Sequence, residues 1–298
     1  MKILFTGSNG LLGQKIAVAT EKYPQHTFLA TSRGENRTKA MGSAAYASMD
    51  ITNAADVSSV VGAFVPDVII HGAAMTHVDE CELHPKKATL MNVEGTRNIA
   101  HAANEVGAHV VHISTDFIFD GKDGPYKEDA LAQPLSHYGW TKLEAEEIIQ
   151  ELPSWSILRT VLVIGMAEDL SRSNIVLWAK GALEKGQAIN VVDDQYRTPT
   201  LAEDLAQGAL LAADQCVQGV FNISGPDFMS IYDLVGQVAE HFGLSMASVT
   251  RTDSTTLNQP AKRPPRTGFD ISKARKELGY RPHSFKEALE IIANQAGL

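Results

Sequence analysis

Tyr138 and Lys142 stand four residues apart at the start of an amphipathic stretch that runs through Gln150. On a helix this spacing puts both side chains on one face, so both can reach a single site. An ammonium held near a phenol favours the phenolate and draws the tyrosine pKa from about 10 toward neutrality. A phenol tuned in this way exchanges a proton with a carbonyl oxygen near pH 7. Upstream, Ser114-Thr115-Asp116-Phe117 closes an apolar run. From the end of a strand, the Thr115 hydroxyl can donate a second hydrogen bond to the same oxygen. The chain holds no other Tyr-x-x-x-Lys pair. Thr115, Tyr138 and Lys142 make a carbonyl-reducing site, and such a site needs a hydride.

The hydride source is legible at the N-terminus. Lys2 to Thr6 reads as a buried strand, followed by Gly7-Ser8-Asn9-Gly10-Leu11-Leu12-Gly13 and a helical pattern through Lys22. Glycines there let the backbone turn sharply against a pyrophosphate, and the helix start offers N–H groups and a favourable dipole. The spacing is one residue wider at its front than the common dinucleotide fingerprint. A second strand, Thr27 to Thr31, leads into Ser32-Arg33-Gly34, with no Asp or Glu between Phe28 and Gly34. An NAD enzyme usually carries an acid there for the ribose 2′-hydroxyl. Ser32 and Arg33 suit a 2′-phosphate instead, so NADP(H) is favoured over NAD(H). Asp50-Ile51 after a third strand could flank the adenine. Gly72-Ala73-Ala74, after the strand Val68 to His71, is small enough for the cofactor to pass close by.

The positioning elements alternate strand with helix. Ala55 to Phe64 and about Lys87 to Val106 read as helices, the latter containing Asn92 as a tie to neighbouring backbone. His109 to Ser114 delivers Thr115 to a sheet edge. Gly121 to Pro134 is a surface loop over the site, in which Tyr126 could touch substrate, with packing on the loop's own base as the default. The Tyr138 helix keeps Glu144, Glu146 and Glu147 on its wetter side. Through about Arg159 the alternation specifies an α/β fold, a doubly wound parallel sheet. Residues 1–160 form a dinucleotide-binding domain, completed by 188–223. Residues 161–187 and 224–298 form a smaller C-terminal substrate-binding domain, with helices over Ser171–Leu183, Ile231–Phe242 and Phe285–Ala293 and a short strand over Ile189–Val192.

Net charge is −9, with 26 Lys/Arg against 35 Asp/Glu, which argues against nucleic acid or an anionic membrane as the main partner. No apolar run approaches the roughly 18 residues of a membrane span. Met1 to Phe5 is too short for a signal-peptide core, so a cytoplasmic protein is expected. Two cysteines, Cys81 and Cys216, give neither a disulfide framework nor metal spacing. No metal is assigned.

Taken together, the glycine turn, Asp50-Ile51, Ala73-Ala74, Thr115 and Tyr138/Lys142 resemble, in order and along the whole chain, the extended short-chain dehydrogenase/reductase family. The likeness is closest to its dTDP-4-dehydrorhamnose reductase branch. It is carried by His71 to Glu82, by Ser114 to Gly121, by Asp194-Gln195 with Pro199-Thr200, and by Arg263-Pro264. The resemblance implies NAD(P)H held by Gly7, Asn9, Gly10, Leu11, Leu12, Gly13, Ser32, Arg33, Asp50, Ile51, Ala73, Ala74, Thr76, Tyr138 and Lys142. It implies hydride transfer to C4 of a nucleotide-linked 4-keto-6-deoxy sugar, with Tyr138 as proton donor. Lys142 would bind the nicotinamide ribose, Thr115 would hold the keto oxygen, and Asp116, Asn174 and Arg263 would touch sugar or diphosphate. It also leaves room for a homodimer.

Two segments depart from the branch. Leu162 follows Arg159-Thr160-Val161 where a tryptophan is usual, and Tyr196-Arg197-Thr198 replaces a small Gly-Ser. Both fall where the substrate should sit. A dehydratase of this fold would carry a glutamate after the Thr-Asp, but Phe117 stands there, so an acid–base group is missing. An epimerase remains an alternative. The regulatory subunit of methionine adenosyltransferase shares Ser-Thr-Asp and Tyr-x-x-x-Lys, so a binding protein without turnover is another.

Overall fold

Short aliphatic runs closed by turn residues become parallel strands stacked side by side. The computed structural model describes residues 1–168 and 174–297. Its large sheet contains β1 (Lys2–Thr6), β2 (Thr27–Ser32), β3 (Ala45–Ser48), β4 (Val68–His71), β5 (His109–Thr115), β6 (Trp155–Thr160) and β7 (Gly219–Asn222). The order is β7-β6-β5-β4-β1-β2-β3, with every neighbouring pair parallel. The chain therefore winds one way from β1 and the other way from β4. A crevice for ligands opens where that direction switches, at the carboxyl ends of β1 and β4.

Both faces of the sheet are covered, as strand alternation requires. Ile3, Phe5, Val68 and Ile70 face α1 (Leu11–Ala19) and a later helix, Ala202–Gln215. Leu4, Ile69 and Val110 face the opposite layer, α2 (Ala54–Phe64), α3 (Gly95–Val106) and α4 (His137–Gln150). Each such side chain, fully buried, contributes roughly 1.5–3 kcal/mol. Register then sets the polar residues at the strand ends. Thr6 pairs with His71, His71 with His112, and Thr115 with Thr160.

A third core gathers Val176, Ala179, Ile189, Leu234, Val238, Phe285 and Leu289. It is built around α5 (Ile175–Glu184), Ile231–His241 and Phe285–Gln295, with short strand pairs between them. Here the expected organisation needs a correction. Ile189–Val192, read as part of the first unit, pairs with Val249–Thr252 instead, while Gly219–Asn222 does join the large sheet beside β6. The helix expected from Ser171 begins at Ile175, and Ser171 to Ser173 lie outside the described residues.

The segment read as one helix from Lys87 is broken. Pro85–Thr89 is α-helical, Leu90–Glu94 is a single π-turn, and α3 follows. Asn92 sits in that turn with both ends of its amide on Met75, accepting from its N–H at 2.7 Å and donating to its carbonyl at 3.1 Å. A side chain drawn inward in this way favours the wider turn. Tyr126 packs as expected, its ring stacked on Phe119 at 4.2 Å. No helix among the described residues is long and apolar enough to cross a membrane.

The glycine turn is held by contact as well as by conformation. A Cβ on Gly13 would lie 2.4 Å from the Gly7 oxygen and 2.5 Å from the Ser8 Cα. Gly13→Ala must therefore push α1 off the turn, at about 1–3 kcal/mol. The expected outcome is a lower thermal midpoint; an unchanged one would show that the turn relaxes freely.

Candidate active site

The turn after β1 is shaped to admit a ligand's phosphates. Gly7 has φ +77°, and a Cβ there would come within 3.1 Å of the Ala73 backbone. The two crevice walls therefore touch at Gly7 and Ala73, and only a bare backbone fits between them. Gly10 caps α1 without a side chain, so the start of the helix dipole faces the crevice unmasked by any side-chain acceptor. Leu11 and Leu12 begin α1, half-buried. Asn9 is buried and accepts from the Arg37 N–H at 2.8 Å while donating to the Glu35 carbonyl at 3.0 Å. It thereby folds the loop after β2 toward the turn. Ser32 ends β2, and the exposed Arg33 guanidinium lies 3.9 Å from Asp50. Ala74 is half-buried and Thr76 exposed along the same edge. Ile51 is buried against Gly95, so its side chain belongs to the core. The uncapped helix start and the side-chain-free glycine turn suit a dinucleotide, with phosphates at the turn and an adenosine end toward Ser32 and Arg33.

Thr115 ends β5, and Tyr138 and Lys142 come from the first turns of α4, whose Ser136 cap accepts from the Gly139 N–H. All three are buried. Their electrostatics correct the expectation drawn from spacing. Burial pushes the Tyr138 phenol up; a hydrogen bond with Thr115 opposes this, and Asp116 and Cys81 add to it. Lys142 is not among the groups that shift the phenol, and two of its ammonium N–H groups are committed to β5. It donates to His112 Nε2 at 3.0 Å and to the Ile113 carbonyl at 2.8 Å. Burial lowers the Lys142 pKa to about 8, against the field of Glu146. Glu146, expected on the wet side, has no exposure at all. It accepts from Ser114 Oγ and from Arg159, whose nitrogens approach to 2.8 Å.

Beyond Thr115 the site becomes charged. The Thr115 hydroxyl donates to Asp116 Oδ1 at 3.1 Å, Thr267 donates to Asp116 Oδ2, and Arg197 Nε stands 3.8 Å away. Burial pushes the Asp116 carboxyl up against the pull of these partners, Arg197 first. A cleft of 340 Å³ opens here, lined in part by Asp116, Leu162, Trp178, Gln195, Arg197 and Arg263. Arg263 makes a bidentate pair with Asp79, at 3.0 and 2.7 Å, and this holds the Asp79 carboxyl below its ordinary range. Asn174 caps α5, accepting from the N–H groups of Val176 and Leu177 and donating to the Gly165 carbonyl at 2.5 Å. Its amide is thus engaged with backbone at the helix start.

The family model for the RmlD substrate binding domain matches residues 1–297. The chain belongs to that family. A dTDP-4-dehydrorhamnose reductase from Aggregatibacter actinomycetemcomitans is 31% identical, with 98% of each chain covered. The methionine adenosyltransferase 2 subunit beta of Xenopus tropicalis is 30% identical over 92% of this chain and 82% of its own. Among solved structures, the dTDP-4-dehydrorhamnose reductase of Bacillus anthracis in complex with NADP superposes with TM-score 0.84 at 26% identity, covering 99% of each chain.

Within this RmlD-family fold, several side chains at the site were not singled out from sequence. Glu146 is one helical turn beyond Lys142, as Lys142 is beyond Tyr138, so the four-residue spacing already put it on the inner face. His112 and Thr267 had no local signal, because strand register and chain return bring them in, and Asp79 stood only within the His71 to Glu82 segment. Arg197 was visible only as a departure.

Burying Lys142 sets a pH dependence of stability. Unfolded, the lysine keeps its ordinary value of 10.5; folded, it titrates near 8. Between those values the unfolded chain binds the extra proton, so stability from this group rises with pH across that window. Below about pH 8 the penalty is complete. Lys142→Met is therefore expected to raise stability at pH 7 by about 1–3 kcal/mol. That gain should shrink as pH rises toward 10. Denaturant melts at pH 7 and pH 9.5 check both parts; equal gains would remove Lys142 as the source.

Proposed function

We propose that this chain reduces the keto group of a nucleotide-linked 4-keto-6-deoxy sugar, with NADP(H) favoured over NAD(H). One observation carries the reading. Thr115, Asp116, Tyr138 and Lys142 meet at the sheet's carboxyl edge, between the glycine turn and a cleft lined by two arginines. The bound dinucleotide supplies the hydride. Tyr138, kept protonated by burial, gives its proton to the alkoxide that forms at the keto carbon. Lys142 offers its positive charge to the phenolate left behind and to the nicotinamide ribose. Thr115 exchanges its bond to Asp116 for one to the keto oxygen, and Arg263 faces the diphosphate. Residues 1–160 with Gly219–Asn222 hold the dinucleotide, and 161–187 with 224–298 and Ile189–Val192 hold the sugar nucleotide. Asn174 serves this second part as the cap that sets α5 against the cleft.

The Bacillus anthracis relative in complex with NADP supports the cofactor. So does Arg33, an exposed guanidinium at the end of β2 where no carboxylate precedes it. Dehydration is disfavoured at the same site. Phe117, standing where a glutamate would act, packs edge-on against the Tyr138 ring at 5.7 Å.

A second reading rests on the methionine adenosyltransferase subunit beta relative. In it the chain binds the dinucleotide and turns nothing over. The discriminating experiment titrates the purified protein with NADPH and NADH by nicotinamide fluorescence, then adds a dTDP-4-keto-6-deoxy sugar. Loss of the reduced-nicotinamide signal is expected. Tight binding without oxidation by any keto sugar would favour the second reading, and absence of binding would sink both. Tyr138→Phe should keep cofactor affinity and lower kcat by about 10²-fold, as loss of a general acid does; unchanged turnover would take Tyr138 out of the mechanism. Arg33→Ala should weaken NADPH more than NADH, and equal weakening would undo the cofactor preference.

A further inference from the structure

We infer that His112 is the positioning residue for Lys142, taking one ammonium N–H on Nε2 so that, with a second on the Ile113 carbonyl, the third is aimed into the site. The inference rests on the proposed reaction only for what that third N–H serves. The argument is a count of protons along a buried row. Strand register sets Thr6, His71 and His112 side by side at the ends of β1, β4 and β5.

Thr6 Oγ1 accepts from the N–H groups of Gly72 at 3.1 Å and Ala73 at 3.0 Å. Its own proton therefore goes to His71 Nδ1, 2.9 Å away. With Nδ1 accepting, His71 carries its proton on Nε2 and donates to Thr96 Oγ1 at 3.1 Å. Thr96 passes its hydroxyl proton on to the Asn92 carbonyl at 2.6 Å. Every position in this chain is filled, so His71 is a neutral ring of one fixed tautomer, and burial holds its pKa near 3.

His112 lies against that neutral ring, with centroids 5.3 Å apart. An ammonium has only donors, so the nitrogen it meets, Nε2, must be a lone pair. The ring proton of neutral His112 is thereby forced onto Nδ1, a buried atom with no hydrogen-bond partner. Buried donors without partners are rare in folded proteins, so one that persists needs a reason. The reason here is Lys142: the other tautomer would set N–H against N–H. Two ammonium donors are committed, and among the described residues the third has no partner. The charged and titratable groups that act on this cluster are His71 from β4 and Glu146 from α4, the latter paired with Arg159 from β6.

The first test needs no turnover. Histidine labelled with ¹⁵N in the wild-type protein should show His112 neutral as the Nδ1–H tautomer from pH 6 to 7.5, where Lys142 is still an ammonium, with His71 as Nε2–H. An Nε2–H form of His112 cannot accept from the ammonium and would overturn the proposal. The second test uses His112→Leu and His112→Gln in the reductase assay. Without an acceptor the ammonium is lost at lower pH, so the alkaline limb of kcat/KM should move down by about one unit in the leucine variant. That is about tenfold less activity at pH 8.5 and little change at pH 6.5. The glutamine amide oxygen, reaching the Nε2 position, should return the limb. A folded leucine variant with an unmoved limb would overturn the proposal. Wild-type protein that reduces no keto sugar would instead defeat the proposed reaction, and the tautomer measurement would still decide the role of His112.

Discussion

Taking the Lys142 ammonium out of water costs several kcal/mol of solvation, recovered only where acceptors and countercharge are supplied in its place. The carboxyl edge of this sheet is arranged around that need. His112 and the Ile113 carbonyl take two donors directly. Countercharge comes from Glu146, one helical turn along, yet that carboxylate is not bonded to the lysine. It is bonded to Arg159 and Ser114, and Arg159 in turn donates to the Glu128 carbonyl and lies over the Phe119 ring at 5.4 Å. A direct Lys142–Glu146 pair would have satisfied the lysine and withdrawn it from the site. Neutralising Glu146 elsewhere leaves a weaker field that eases burial without capturing the ammonium.

The far side of the site is closed by the returning C-terminal segment. Ala261 and Arg263 bond Asp79, Arg266 lies over the Tyr196 and Phe228 rings, Thr267 bonds Asp116, and Phe269 bridges to Tyr126. Within nine residues this strand of chain touches the first helical layer, the cleft wall and the strand-end loop. Asp116 is the point where these contacts meet the reacting groups, since Thr115 donates to one of its oxygens and Thr267 to the other. Movement of this segment would therefore be felt at Thr115 through a single carboxylate.

Local pattern carried the frame well. The parallel sheet, the glycine turn and the shared face of Tyr138 and Lys142 follow from spacings of two and four residues, which backbone geometry enforces. What failed depended on packing at long range. Proximity along α4 led to an expectation that Lys142 would acidify Tyr138, but β5 captures the ammonium and burial decides the phenol. Glu146 looked solvated because it is a glutamate, and its partner Arg159 comes from β6. Ile189–Val192 reads like any short buried strand, and only its pairing with Val249–Thr252 puts it with the third core. Asn174, placed near the substrate end by the resemblance, also caps a helix, a role that its Asn type alone would have allowed.

The two departures noted in the sequence fall in the cleft and leave the reacting groups untouched. Leu162 takes the left-handed conformation, φ +37°, in the turn after β6, and its side chain lines the cleft. An indole still reaches that cleft, from Trp178 on α5, which is 42% exposed. Arg197 brings a second guanidinium close enough to Arg263 to feel its charge, and sets it beside Asp116. A cleft with one more fixed positive charge and a relocated aromatic surface favours a differently shaped or more anionic ligand end. In the proposed reaction, proton transfer rests on Tyr138 and Lys142, and the hydrogen bonds of Lys142, His112 and His71 do not pass through Leu162 or Trp178. Under the proposed reaction, the chemistry and the choice of sugar nucleotide would therefore be set by different elements, joined chiefly at Asp116.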